Sequence, residues 1–206
     1  MYKRGSKKIF KDFVRTVKSD PHRYFYIKSR LIKMKEEEID INTQGYSGST
    51  LLHLALKLND IRLFKIFLEA GVNMNLANEA GEAPIHMAVS TGKTKFIRAL
   101  VNNGCDLNVA SELEQTPLHL AVISGNIEIV KYLVEHGADI LILDEINNLP
   151  IDYAIDERDE KMIKYFLTKQ QIDETRKMKI NSILKKEGNS YVWSISWKFN
   201  KIYYWF

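Results

Sequence analysis

The chain has 206 residues, of which 45% are hydrophobic and 27% charged, with only four prolines and ten glycines; this is the make-up of a folded chain and excludes bulk disorder. A single cysteine, Cys105, excludes a disulfide framework, so a reducing, intracellular and cytoplasmic setting is the simpler expectation, with a non-classical export route left open. The net charge of +4 is unevenly spread: twelve lysines and arginines fall within residues 1–35, opposed there only by Asp12 and Asp20.

No run approaches the roughly 18–20 apolar residues that a bilayer span needs, and no apolar stretch follows the N-terminal charges as a signal peptide would require. Within the basic segment, 1–37, Ile9, Phe10, Phe13, Val14 and Val17 share one helical face, ringed by Lys7, Lys8, Lys11, Arg15 and Lys18. Two readings follow. One is a capping unit, with Leu31 and Ile32 on its second helix, because Asp40-Ile41-Asn42 lies 33 residues before Asn73-Met74-Asn75. The other is a basic amphipathic helix for an anionic membrane surface or an acidic partner.

From residue 38 the chain repeats. Thr50-Leu51-Leu52-His53-Leu54-Ala55 is followed at intervals of 33 by Ala83-Pro84-Ile85-His86-Met87-Ala88, Thr116-Pro117-Leu118-His119-Leu120-Ala121 and Leu149-Pro150-Ile151-Asp152-Tyr153-Ala154 (50, 83, 116, 149). Gly71, Gly104 and Gly137 stand 21 residues after the first three motif starts, where a second helix must end; Gln170 takes that place in the fourth, so the array is expected to close there. Between motif and glycine come apolar pairs at helical spacing: Leu63/Phe64 with Phe67/Leu68, Phe96/Ile97 with Leu100/Val101, Ile129/Val130 with Leu133/Val134, and Met162/Ile163 with Phe166/Leu167. They are expected to form the core.

A 33-residue period with this signature resembles the ankyrin repeat family over about residues 38–172, which implies an all-α solenoid of stacked helix-turn-helix units with hairpin turns. Pro84, Pro117 and Pro150 suit the first position of a helix, and Thr50 and Thr116 can cap one through the hydroxyl. Ala83 and Leu149 cannot, so those two units are expected to start less firmly, by about 1 kcal/mol each. His53, His86 and His119 resemble the family's structural histidines, which bond neighbouring backbone, rather than zinc ligands, since no other ligands converge on them.

At the hairpin tips Gly48 and Gly81 are replaced by Glu114 and Asn147, and at the bends between paired helices Gly92 and Gly125 are replaced by Asn59 and Arg158. The turn at Glu114 is therefore expected to be strained or differently shaped, and the terminal units less regular.

Residues 173–190 read as a capping helix ended by Gly188-Asn189-Ser190, because a solenoid must cover its last apolar face. Residues 191–206 contain eight aromatics and all three tryptophans; Tyr191, Trp193, Ile195, Trp197 and Phe199 alternate with smaller or polar residues, as in an extended strand. Docking onto the last unit, insertion at a membrane interface or partner, and a poorly ordered tail all fit that pattern.

No phosphate loop, paired cysteine set or nucleophile elbow is present, so neither enzymatic activity nor a cofactor is expected. Nor is nucleic acid, because the basic segment has no interleaved aromatic platforms. The resemblance implies a protein-interaction module that uses hairpin tips and the exposed positions of the first helices. Carried over by offset, these positions include Tyr46, Lys57, Leu58, Glu79, Glu82, Glu112, Leu113, Ile123, Glu145, Ile146, Asp156 and Glu157. Their six acids against Lys57 point to a partner with a basic surface patch, with a membrane-surface adaptor using both termini as the alternative.

Overall fold

The computed structural model describes residues 6–169 and 173–186; the aromatic tail, the break at Gly188, and Gln170 lie outside the described residues. Within them are eleven α-helices and no strand. Helices α1 (Ser6–Ser19) and α2 (Tyr24–Glu36) precede four pairs, each a seven-residue helix and a slightly longer one: α3 (Leu51–Lys57) with α4 (Ile61–Glu69), α5 (Pro84–Ser90) with α6 (Thr94–Asn102), α7 (Pro117–Ile123) with α8 (Ile127–Glu135), and α9 (Pro150–Asp156) with α10 (Glu160–Leu167). Helix α11 (Glu174–Lys186) ends the described chain.

The first helices α3, α5, α7 and α9 stack in one layer, and α2, α4 and α6 stack behind them. In each second helix three of the four expected apolar residues are buried (Leu63, Phe64 and Phe67, for example), while Leu68, Val101, Val134 and Leu167 are only partly covered. Phe64 meets Phe96 of the next unit edge to face at 5.0 Å, so the core runs from unit to unit instead of closing around one centre.

The helix starts differ from expectation. The Thr50 hydroxyl accepts from the His53 N–H only at 3.5 Å, and the Thr116 hydroxyl makes no such bond. The capping is done from the other side: the backbone N–H of Thr50, Ala83 and Thr116 donates to Nδ1 of His53, His86 and His119 at 3.2, 3.1 and 3.1 Å, and that of Leu149 donates to Asp152 Oδ2 at 2.8 Å. Ala83 and Leu149 thus keep a partner for their own N–H, and the N–H three positions on donates to their carbonyls at 3.0 and 2.9 Å, whereas the Thr50 and Thr116 hydroxyls each lie 2.9 Å from the histidine Nδ1.

The irregular residues keep regular geometry. Glu114 (φ 55°) and Asn147 (φ 62°) adopt the same left-handed conformation as Gly48 (65°) and Gly81 (67°), and Asn59 (53°) and Arg158 (56°) match Gly92 and Gly125. The turns thus keep one shape throughout, at a cost in backbone strain at Glu114 and Arg158. Gly81 has a further reason to be glycine: a Cβ there would lie 2.3 Å from the backbone nitrogen of Glu112 on the next hairpin.

At the N-terminal end α1 buries Phe10, Phe13 and Val17, and α2 buries Ile27, Leu31 and Met34. Leu31 and Ile32 both lie on this second helix, Leu31 buried and Ile32 52% exposed, because Ile32 follows Leu31 round to the outer side of α2. Glu38 takes a φ of 55° at the position 33 residues before Gly71, so α2 ends as the later second helices do. Tyr24 donates to Asp60 Oδ2 at 2.9 Å while Asp60 Oδ1 caps α4, which ties α2 to the first full pair.

A polar ladder links the units. Backbone N–H groups of Asn73, Asp106 and Asp139 donate to the side-chain oxygens of Asn42, Asn75 and Asn108 at 2.7, 3.1 and 2.8 Å. Leu141 occupies the next position, so the ladder has no further acceptor to offer. In the same unit Asp152 replaces the histidine, and it receives Arg176 of α11. The last unit is built to meet a capping helix instead of another repeat.

Candidate functional site

Four hairpins project from the first-helix layer, and the second and fourth are fixed by their own Asx contacts. Asn78 Oδ1 accepts the N–H groups of Ala80 and Glu82 at 2.9 and 3.0 Å, and Asp144 Oδ1 accepts those of Ile146 and Asn148 at 3.1 and 2.9 Å. An Asx side chain at the base therefore sets the tip conformation before any partner arrives. Neighbouring tips are also joined: Glu79 N–H donates to Ser47 O at 3.1 Å, and Glu145 N–H to Leu113 O at 3.2 Å.

The buried histidines hold the hairpins to the helices. Nε2–H of His53, His86 and His119 donates to the carbonyls of Glu82, Gln115 and Asn148 at 2.9, 3.1 and 3.1 Å, each in the following hairpin. Since a carbonyl only accepts and Nδ1 is taken by the N-cap N–H, each ring is the neutral Nε2–H tautomer. Burial pushes all three below the usual imidazole pKa. Their side chains are fully enclosed, and among the described residues no group of three or more His, Cys, Asp or Glu could hold a metal ion. Burial likewise lifts the Cys105 thiol to about 12, which leaves it protonated and packed at neutral pH.

The expected contact positions divide into two sets. Glu79, Glu112, Leu113, Glu145, Ile146, Asp156, Glu157, Lys57, Leu58 and Ile123 are exposed; Glu82 is half-buried and receives a bond from Asn78 Nδ2 at 3.3 Å, so it belongs in part to its own turn. Tyr46 lies in a 3-10 turn (Tyr46–Gly48) of the first hairpin. The Leu113–Glu145 backbone bond brings the third and fourth tips together, so Leu113 (57% exposed) and Ile146 (67% exposed) stand on adjacent tips, each preceded by a glutamate. Leu58 and Ile123 end α3 and α7 and lie two units apart.

Sequence reasoning missed Tyr153. Its hydroxyl donates to Asp144 Oδ2 and accepts from Gln115 Nε2 at 3.1 Å, which braces the third hairpin against the fourth. The Asp144 carboxyl is held below its ordinary range against its own burial by that hydroxyl and by backbone N–H bonds, so it stays ionised beneath the tips. The signal was an aromatic in place of Leu54, Met87 and Leu120 in the motif. Leu141 and Leu143, exposed ahead of the fourth tip, were also missed, because a single-sequence reading gives no reason for apolar residues there.

The amphipathic α1 does not present its apolar face outward. Phe10, Phe13 and Val17 are 2%, 3% and 0% exposed and Ile9 and Val14 are partly covered, so that face is occupied within the fold, while Lys7, Lys8, Lys11, Arg15 and Lys18 are exposed together with Asp12 and Ser19. Among the described residues no helix is long and apolar enough to cross a membrane.

A family model for ankyrin repeats, in three copies, matches residues 25–111 and 108–178. No curated protein matches the chain.

Proposed function

Because this chain belongs to the ankyrin repeat family, whose arrays are in general protein–protein interaction modules, we propose that it is a non-enzymatic adaptor, inhibitor or effector that binds a protein through its hairpin tips and first-helix face. The observation that carries this reading is the pair Leu113 and Ile146, two large apolar side chains on tips joined by a backbone bond and flanked by Glu112 and Glu145. Apolar anchors ringed by charge are the arrangement from which interface affinity and orientation arise. The tips are braced from below by Tyr153 and Asp144, so little conformational freedom remains to be lost on binding.

The partner this surface suits has a basic patch beside small apolar pockets. Glu79, Glu112, Glu145, Asp156 and Glu157 are all exposed on this side of the molecule, against Lys57 at its far end. The test is comparative capture from native cell extract by the full chain, by a variant carrying Leu113→Ala and Ile146→Ala, and by one with Glu112→Lys and Glu145→Lys. Proteins held by the parent chain and lost by both variants support the reading; an unchanged capture profile refutes it.

A further inference from the structure

The recess at the N-terminal end of the array has the opposite charge. Helix α1 lies beside the first hairpin, and between them is a recess of about 1070 Å³ lined by Lys7, Lys11, Arg15 and Lys18 on one side and by Asn42, Thr43 and Gln44 on the other. Its acids are Asp40 and Glu79. A smaller space of about 140 Å³ adjoins it, shares Phe10, Val14 and Lys18, and reaches Leu51, Leu54 and Lys57. Lys7, Lys11 and Lys18 are exposed and form no ion pair with any described residue, while Arg15 pairs only with the exposed Asp12 at 3.2 Å. Such a surface pair contributes little and is readily exchanged.

The four cations stand at i, i+4, i+8 and i+11 of one helix, which spaces them by about 6, 6 and 4.5 Å along its axis. Alternate side chains of an extended peptide are spaced by about 6.6–6.8 Å and point the same way. We propose that this recess binds an extended acidic segment of a protein partner, with Asp or Glu at alternate positions facing α1 and the intervening side chains facing Asn42, Thr43 and Gln44 on the opposite wall. The geometry favours a peptide over the other polyanions. Insertion of an amphipathic helix into an anionic membrane needs an outward apolar face, and most of that of α1 is buried. Single-stranded nucleic acid needs exposed stacking platforms, and Phe10, the one aromatic among the described residues lining the recess, is 2% exposed. The first-helix side of the molecule is thus charged in two senses, basic beside α1 and acidic over the later tips, and this polarity sets the direction in which a partner segment lies across it.

The inference rests on the reading of the chain as a partner-binding array but not on its acidic face, and the two can fail separately. The probe is a fluorescein-labelled heptapeptide, Glu-Thr-Glu-Thr-Glu-Thr-Glu, titrated with the full chain by fluorescence anisotropy, beside a peptide of the same composition with its four glutamates contiguous. The alternating peptide is expected to bind roughly threefold or more tightly than the contiguous one, and Lys7→Glu, Lys11→Glu and Lys18→Glu together to weaken it about tenfold. Lys65→Glu, Lys95→Glu and Lys161→Glu, an equal charge change on exposed second-helix positions, should leave it within about twofold. The milder Lys→Gln set at positions 7, 11 and 18, checked by circular dichroism, keeps the comparison valid if the reversals disturb α1. Equal losses in the control set, no preference between the peptides, or tighter lysine-dependent retention on phosphatidylserine vesicles or single-stranded oligonucleotide than on the peptide would overturn the proposal. Failure of the acidic face alone leaves peptide binding intact in the Glu112→Lys, Glu145→Lys variant.

Discussion

Asp152 accepts Arg176 in a forked contact, with Nε at 2.8 and 2.9 Å from its two carboxylate oxygens and a terminal nitrogen at 2.6 Å, while the same carboxylate caps α9 through the Leu149 N–H. In the three preceding units a histidine caps its helix and donates onward to the next hairpin; here a carboxylate caps and accepts from a capping helix. Asp173 adds a second contact to Arg176, which holds the Asp173 carboxyl below its ordinary range, while the guanidinium is held above its own chiefly by Asp152 and then by Asp173.

Asp152→Ala is therefore expected to lower stability by about 2–4 kcal/mol, since it leaves a half-buried guanidinium without its main partner and an N-cap N–H without an acceptor. Asp152→His should recover the cap but not the pairing with Arg176, and so fall between Asp152→Ala and the parent. Urea titration followed by circular dichroism gives the order; a Asp152→Ala variant as stable as the parent would show that α11 is not held this way.

The three buried histidines predict the acid side of the stability profile. Their folded pKa values lie below the unfolded value of about 6.5, so the unfolded chain binds more protons and stability falls as pH drops through and below that value. The contribution is fully present above about pH 6.5 and is lost at up to about 1.4 kcal/mol per pH unit for each ring. Thermal melts from neutral to mildly acidic pH should show this slope, and His86→Gln should reduce it; a flat profile would mean that the rings titrate normally.

The glycines should not respond alike. Gly104 has a φ of 77° with open space beyond, so Gly104→Ala meets only the left-handed penalty of about 1 kcal/mol. Gly81→Ala adds a Cβ 2.3 Å from a backbone nitrogen of the next hairpin and should cost clearly more. Equal losses in parallel denaturant titrations would show that the hairpins can part freely.

Much of the fold is legible because the repeat enforces its own register: the 33-residue spacing of His53, His86 and His119, carried on to Asp152, places the paired helices α3 to α10, and the paired apolar residues place their core. The cap mechanism was not legible, because Thr50 and Thr116 advertise a hydroxyl cap while the ring of the residue three positions on provides the acceptor. The backbone at Glu114 and Arg158 was not either, since stacking on both sides overrides the conformational preference of one residue. Of the proposed contact surface, the sequence offsets picked out acids together with Leu113 and Ile146 that are exposed in the fold, but not that a backbone bond joins their tips, nor that Tyr153 braces them. Those relations lie between units, and a periodic sequence states only what is within one.

The surface reading is tested most directly by association kinetics of a captured partner with the parent chain and with the Glu112→Lys, Glu145→Lys, Asp156→Lys variant, at increasing ionic strength. The expected result is an association rate that falls with salt for the parent, is lower by about tenfold in the variant at low salt and converges with it at high salt, while Leu113→Ala with Ile123→Ala acts on dissociation. Identical association rates for parent and variant at every salt concentration would contradict it.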